Sequence, residues 1–133
     1  MIVYLDANIV IYLVEDHPLW KPKVVTRIVS FRSAGDEIGI SDAHRLECLV
    51  GPLILGDAAS LADYHTFFGD PTVKALSLTA KVCERAAQIR AAHQYKPLDS
   101  LHLAAAVENG CGKFLTNDGQ LSGFPDLTVE LLT

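Results

Sequence analysis

The feature that most constrains this chain is its alternation of short apolar runs with longer helical ones. Ile2 to Leu5, Glu37 to Ser41, Val73 to Leu78, Lys113 to Thr116 and the stretch LTVELL at 127–132 read as strands. Between them lie segments with helical apolar spacing or strong helix formers. These are Ala7 to Val14, a stretch from Pro18 carrying Val24, Val25, Ile28, Val29 and Phe31, then DAHRLECLV at 42–50 and Asp57 to Phe68. TAKVCERAAQIRAAHQY at 79–95 and LDSLHLAAAVENG at 98–110 complete the set. Strands that alternate with helices pair in parallel, because the chain must cross back over the sheet, and such crossovers are right-handed. The expected class is therefore α/β, a single domain over 1–133 with a central parallel sheet of about five strands and helices on both faces. In such sheets ligands bind beyond the carboxyl ends of the strands, where the strand order reverses.

Local signals place the boundaries. Ser41 is positioned as an N-cap for the helix that follows it, with Gly51 and Pro52 disturbing the far end of that helix. Thr79 caps the next long helix, Pro97 interrupts the chain and Gly110 closes the Ala-rich helix. No repeat, low-complexity stretch or linker divides the chain. Half of the residues are hydrophobic and a fifth are charged, which excludes a disordered chain and supplies a core. No apolar run approaches the roughly 20 residues that span a bilayer, and the start lacks the basic flank of a secretion signal, so the expectation is a soluble, cytoplasmic protein without membrane contact. Cys48, Cys83 and Cys111 are odd in number and widely spaced. They fit buried small apolar residues better than a disulfide framework or a zinc site.

Against this apolar background, four acids stand out. Asp6 ends the first strand and Asp118 follows the fourth, so two strands deliver carboxylates to one sheet edge, facing a common cleft if those strands are neighbours. Glu47 lies beside Ala43 and Val50 on a helix whose stripe of Ala43, Leu46, Val50, Leu53 and Ile54 reads as core-facing. Asp99 occupies the first turn of a helix that is apolar almost all round, and so buried. Each has an ordinary explanation when taken singly: a solvated strand end, an ion pair with Arg, or an acid at the positive end of a helix dipole. Among the histidines, His102 reads as a hydrogen-bonded core residue, and His17, His44, His65 and His93 have no ligand spacing. The segment GCG lacks the frame of a phosphate loop. A net charge of −5 looks wrong for a protein that approaches a polyanion, yet four carboxylates engaged with cations leave the remainder at −1.

With LDAN at 5–8, SDAHRLECLVGPL at 41–53, PLDSLHLAAA at 97–106 and LTND at 115–118, the chain resembles the PIN-domain family, and within it the VapC-type toxins of bacterial toxin–antitoxin pairs. The resemblance spans essentially the whole chain. It implies a metal-dependent endoribonuclease, commonly dimeric and held inactive by a cognate antitoxin. Its acidic site falls on Asp6, Glu47, Asp99 and Asp118, with Asn8 and Thr116 as polar support. Two positions depart from the family pattern, Ala7 where Thr is common and Ser100 where Ala is common, and neither removes a carboxylate.

The chemistry is consistent with that set. Cleaving a phosphodiester needs an activated water and neutralisation of phosphate charge, which hard cations such as Mg²⁺ or Mn²⁺ supply through oxygen ligands. Asp6, Asp99 and Asp118 are the expected metal ligands, and Glu47 a ligand or an orienter of the water. Asn8 and Thr116 would hold carboxylates or phosphate by hydrogen bonds, and Arg45 is the sort of residue that could meet RNA, although exposure alone explains it as well. Two other readings compete. An Asp after a first strand is also the nucleophile of aspartyl-phosphate enzymes, but Asn8 stands where their second acid belongs, and Lys113 precedes a strand rather than following one. A PIN-like module that binds RNA or protein without cutting would have no use for four crowded acids.

Overall fold

A computed structural model describes all residues from 1 to 133. Five strands, β1 (Ile2–Leu5), β2 (Glu37–Ser41), β3 (Val73–Leu76), β4 (Lys113–Thr116) and β5 (Val129–Leu131), form one sheet in the order β3-β2-β1-β4-β5. Every pairing is parallel, and Leu5 lies opposite Leu115. The order reverses between β1 and β4, so these two strands flank the crevice that a parallel sheet opens at its carboxyl edge.

Six helices cover the sheet: α1 (Ala7–Val14), α2 (Trp20–Ser33), α3 (Ala43–Leu55), α4 (Ala58–Phe68), α5 (Ala80–His93) and α6 (Pro97–Glu108). Strand alternation sends Val3, Leu5, Ile38, Ile40 and Leu115 to one face, where they pack with Val10, Val24, Phe31, Cys48 and Tyr64 of α1 to α4. Tyr4 and Phe114 point to the other face and pack with Val82 and Ile89 of α5 and Leu103 to Ala106 of α6. The Ala run of α6 allows this helix to lie close against the sheet. No helix is long and apolar enough to cross a membrane.

Several boundaries differ from the sequence reading, each for a physical reason. Ser41 does not cap α3. It remains in β2, its hydroxyl is taken by Tyr4, and Asp42 precedes the helix without a side-chain cap. Gly51 and Pro52 do not end α3, which continues to Leu55 and stops at Gly56, whose φ of 65° suits a residue without a Cβ. Pro97 does not break the chain but opens α6, where its fixed φ fits and its missing N–H is not needed. Of the cysteines, Cys48 and Cys111 are buried as expected, whereas Cys83 is exposed on α5.

The largest correction concerns α3. Leu46, Val50, Leu53 and Ile54 do not face the core but are exposed, as is Leu55. The buried face carries Ala43, His44, Cys48 and Pro52. His44 tolerates burial because both ring nitrogens are satisfied. Its Nε2–H donates to the Leu5 carbonyl at 2.6 Å, and Nδ1 then accepts the Ser41 N–H at 3.1 Å. Burial and the neighbouring His102 lower its pKa to about 3, so the ring is neutral, as those bonds require.

Candidate active site

The carboxyl edge of the sheet is built from the turn that follows each strand. At the end of β1 the chain enters α1 directly, and Asp6 caps that helix, with Oδ1 accepting the Ala7 N–H at 2.8 Å. Its own N–H donates to the Leu115 carbonyl at 2.9 Å, which ties the turn to β4. Oδ2 accepts the Thr116 hydroxyl at 2.6 Å. Thr116 Oγ1 in turn accepts the Asp118 N–H at 3.0 Å, so one hydroxyl links the two strand-end acids. Asp118 Oδ1 starts a single tight turn, Gly119–Leu121, by accepting the Gln120 N–H at 2.9 Å.

Asp6 is only 4 % exposed and has no cationic partner. Burial raises its pKa above the usual carboxylate range, while His102, the Thr116 hydroxyl and the Ala7 N–H pull the other way. Asp99, in the first turn of α6, is pushed up to about 6. Desolvation is the largest cause, and the charges of Asp6, Glu47 and Asp118 follow. Asp99 thus feels the charge of the other three acids, and Asp6 that of Glu47. None of Asp6, Asp99 and Asp118 pairs with Lys or Arg.

Glu47 reaches the cluster from α3, but not for the reason its sequence neighbours suggest. Its side chain lies between the exposed apolar stripe and the buried His44–Cys48 face, is 30 % exposed, and accepts a hydrogen bond from His102 Nε2 at 2.7 Å. His102 is fully buried and hydrogen-bonded, as its setting on an apolar helix predicts, and it also contacts the acidic cluster.

Asn8 makes a longer contact, accepting the Asn117 N–H at 3.4 Å, and so faces the end of β4 rather than a carboxylate. Arg45 pairs with Asp42 at 2.9 Å and lies over the Phe68 ring. Sequence reasoning missed Tyr4, Ser41 and His44, which form the polar floor beneath Glu47. The available signal was a tyrosine inside an apolar strand and a histidine three residues after Ser41. No three His, Cys, Asp or Glu side chains are drawn together into a ready-made cation cage.

A protein-family comparison matches residues 3–127 to the PIN domain. The chain belongs to the PIN-domain family. Comparison with curated proteins finds no match. Among solved structures, this PIN domain is similar to VapBC2 from Rickettsia felis bound to a promoter DNA fragment, with a TM-score of 0.80 and 18 % identity over all of both chains. It is similar to DNA-bound VapBC from Salmonella typhimurium, with a TM-score of 0.75 and 18 % identity over 100 % of this chain and 99 % of that one. It also resembles Mycobacterium tuberculosis VapC20, a sarcin–ricin loop cleaving toxin, with a TM-score of 0.71 and 16 % identity over 95 % of this chain and 98 % of that one. The PIN-domain match thus spans nearly the whole chain.

Proposed function

We propose that this PIN domain is a metal-dependent endoribonuclease, the toxin of a toxin–antitoxin pair, with Asp6, Glu47, Asp99 and Asp118 as its catalytic acids. The observation that carries the reading is the convergence of four carboxylates, unpaired with Lys or Arg, at the reversal point of a parallel sheet. Such a cluster is costly to fold unless something cationic relieves it. The donor set fits a hard divalent ion, Mg²⁺ or Mn²⁺, because it offers carboxylate oxygens and no thiolate, and because the His102 and His44 imidazoles are already committed to Glu47 and to backbone groups. Asp6, Asp99 and Asp118 would hold the ion, which when bound supplies charge neutralisation at phosphate and a more acidic water.

The protein's own groups do the rest. The Thr116 hydroxyl fixes the Asp6 carboxylate by donating to it and accepts the Asp118 N–H, so one side chain ties both strand ends in place. Glu47, with Oε2 held by His102, has Oε1 uncommitted and would use it to orient an attacking water. Asn8 and Asn117 line the end of β4, where a phosphate or ribose would lie.

RNA as substrate is supported by the likeness to the sarcin–ricin loop cleaving toxin of Mycobacterium tuberculosis, and an antitoxin partner by the likeness to two VapBC structures. The cytoplasm is the compartment that RNA substrate implies. The exposed stripe of α3 supports a homodimer: Leu46, Val50, Leu53 and Ile54 recur at helical spacing, and the same stripe on a second copy is its natural cover across a twofold axis.

Cleavage of a mixed RNA pool with Mg²⁺ or Mn²⁺, and with EDTA, tests the function. The wild type should cut only with metal, and Asp6→Asn, which removes a charge and little volume, should keep its fold and lose cutting. Undiminished metal-dependent cutting by that variant would sink the assignment, and a folded, metal-loaded wild type that binds RNA without cutting would favour a binding module instead.

A further inference from the structure

We infer that His102 is a positioning residue for Glu47, held in a single tautomer by Tyr4 and Ser41 through a buried hydrogen-bond chain that runs from β2 to the acidic cluster. The inference rests on the proposed role of Glu47 and goes beyond it by naming what aims that carboxylate.

The polarity of the chain follows from its end. An ionised carboxylate only accepts, so the 2.7 Å contact to Glu47 Oε2 requires a proton on His102 Nε2. In the Nε2–H tautomer Nδ1 offers a lone pair, which the Tyr4 hydroxyl fills by donating at 2.7 Å. Tyr4 Oη has its own lone pair open and takes the Ser41 hydroxyl proton at 2.8 Å. In this tautomer donation runs Ser41 to Tyr4 to His102 to Glu47, whereas a doubly protonated ring would reverse the Tyr4 and Ser41 bonds. Tyr4 and His102 are fully buried and Ser41 nearly so, which excludes water as a competitor.

The rings are held as well as bonded. Tyr4 stacks on Phe114 at 5.4 Å with planes 8° apart, and His102 meets His44 edge-on at 4.5 Å between centroids. His44 is itself pinned by the Leu5 carbonyl and the Ser41 N–H, so the floor on which His102 rests cannot rotate without breaking backbone contacts. A network serving the core alone would end on buried groups. This one ends on the partly exposed acid of the cluster and leaves Glu47 Oε1 uncommitted.

Two substitutions at one position separate positioning from packing. Gln can place an amide N–H near the position of Nε2, whereas Asn reaches only the position of Nδ1 and can contact Tyr4 but not Glu47. His102→Asn should lower kcat for RNA cleavage by about 10- to 100-fold, the usual cost of losing a group that orients a catalytic one, with KM within about threefold. His102→Gln should recover most of that loss, and in a Glu47→Ala background His102→Asn should cost little more. Equal activity of the Asn and Gln variants, or a full further loss in the Glu47→Ala background, overturns the inference.

A readout independent of catalysis is the nitrogen spectrum of ¹⁵N-histidine-labelled protein. His102 should be the Nε2–H tautomer at neutral pH, Tyr4→Phe should move its Nδ1 resonance, and Glu47→Gln its Nε2 resonance. An Nδ1–H tautomer or a doubly protonated ring in the wild type refutes the chain even if RNA is cut. Should the wild type cut no RNA, the function fails and the spectrum alone decides the chain. Tyr4→Phe, which removes only a hydroxyl, keeps the test open if changes at His102 prevent folding.

Discussion

Replacing Asp99 by Asn should make the metal-free protein more stable at neutral pH. In the unfolded chain Asp99 titrates near its ordinary 3.8, and in the fold burial and the charges of Asp6, Glu47 and Asp118 push it up to about 6. Below the lower value it is protonated in both states and costs nothing. Between the two values the unfolded chain ionises while the folded chain keeps its proton, so the penalty grows with pH, and above about 6 it is constant. A gap of about 2 units corresponds to about 3 kcal/mol, and partial exposure of the side chain screens this to about 1–2 kcal/mol. Asn also forfeits part of the favourable interaction of an acid with the α6 dipole, about 0.3–1 kcal/mol. The expected net gain is about 1 kcal/mol near pH 7.5 in EDTA, or a Tm higher by about 3–5 °C for a domain of this size. Near pH 4 the gain should vanish, and added Mn²⁺ should raise the wild type more than the variant. Thermal unfolding of both proteins at the two pH values, with EDTA and with Mn²⁺, measures all of this. An Asn variant no more stable than the wild type near pH 7.5, or an equal gain near pH 4, would refute the reasoning.

Further outcomes follow from the packing. Ser100 is buried on α6 and its hydroxyl has no hydrogen-bond partner, so Ser100→Ala should leave stability unchanged or raise it by about 1 kcal/mol in urea unfolding. A loss of more than that would reveal a partner for the hydroxyl. If α3 forms the contact between copies, Leu53→Asp should shift the protein to a monomer by analytical ultracentrifugation while its Tm in dilute solution changes little, because Leu53 is exposed in the single chain. A wild type that is already monomeric at micromolar concentration would contradict the dimer.

The sequence made the sheet and the two strand-end acids legible because parallel crossovers leave few topologies. Asp6 and Asp118 could be placed together once β1 and β4 were adjacent. Thr116 was legible for the same reason, since it sits beside Asp6 across the ladder. Glu47 joins the acids for a reason its apolar neighbours do not show. Periodicity detects an apolar stripe but does not say what covers it, and on α3 the stripe of Leu46, Val50, Leu53 and Ile54 faces outward while His44 faces the core. A buried histidine is hidden from any apolar pattern, because its burial depends on two backbone groups, from Leu5 and Ser41, that only the fold brings to it. The capping rule failed at Ser41 for a related reason: a distant hydroxyl, that of Tyr4, had the stronger claim on its side chain.

The central claim is that the acids at the ends of β1 and β4, with those of α3 and α6, form one divalent-cation site. Titrating the protein into Mn²⁺ and following the free-ion signal by electron paramagnetic resonance tests this most directly. The wild type should deplete the free signal saturably, with Mg²⁺ in competition, and Asp6→Asn and Asp118→Asn should each abolish that depletion while remaining folded. Equal Mn²⁺ uptake by wild type and both variants would contradict the account.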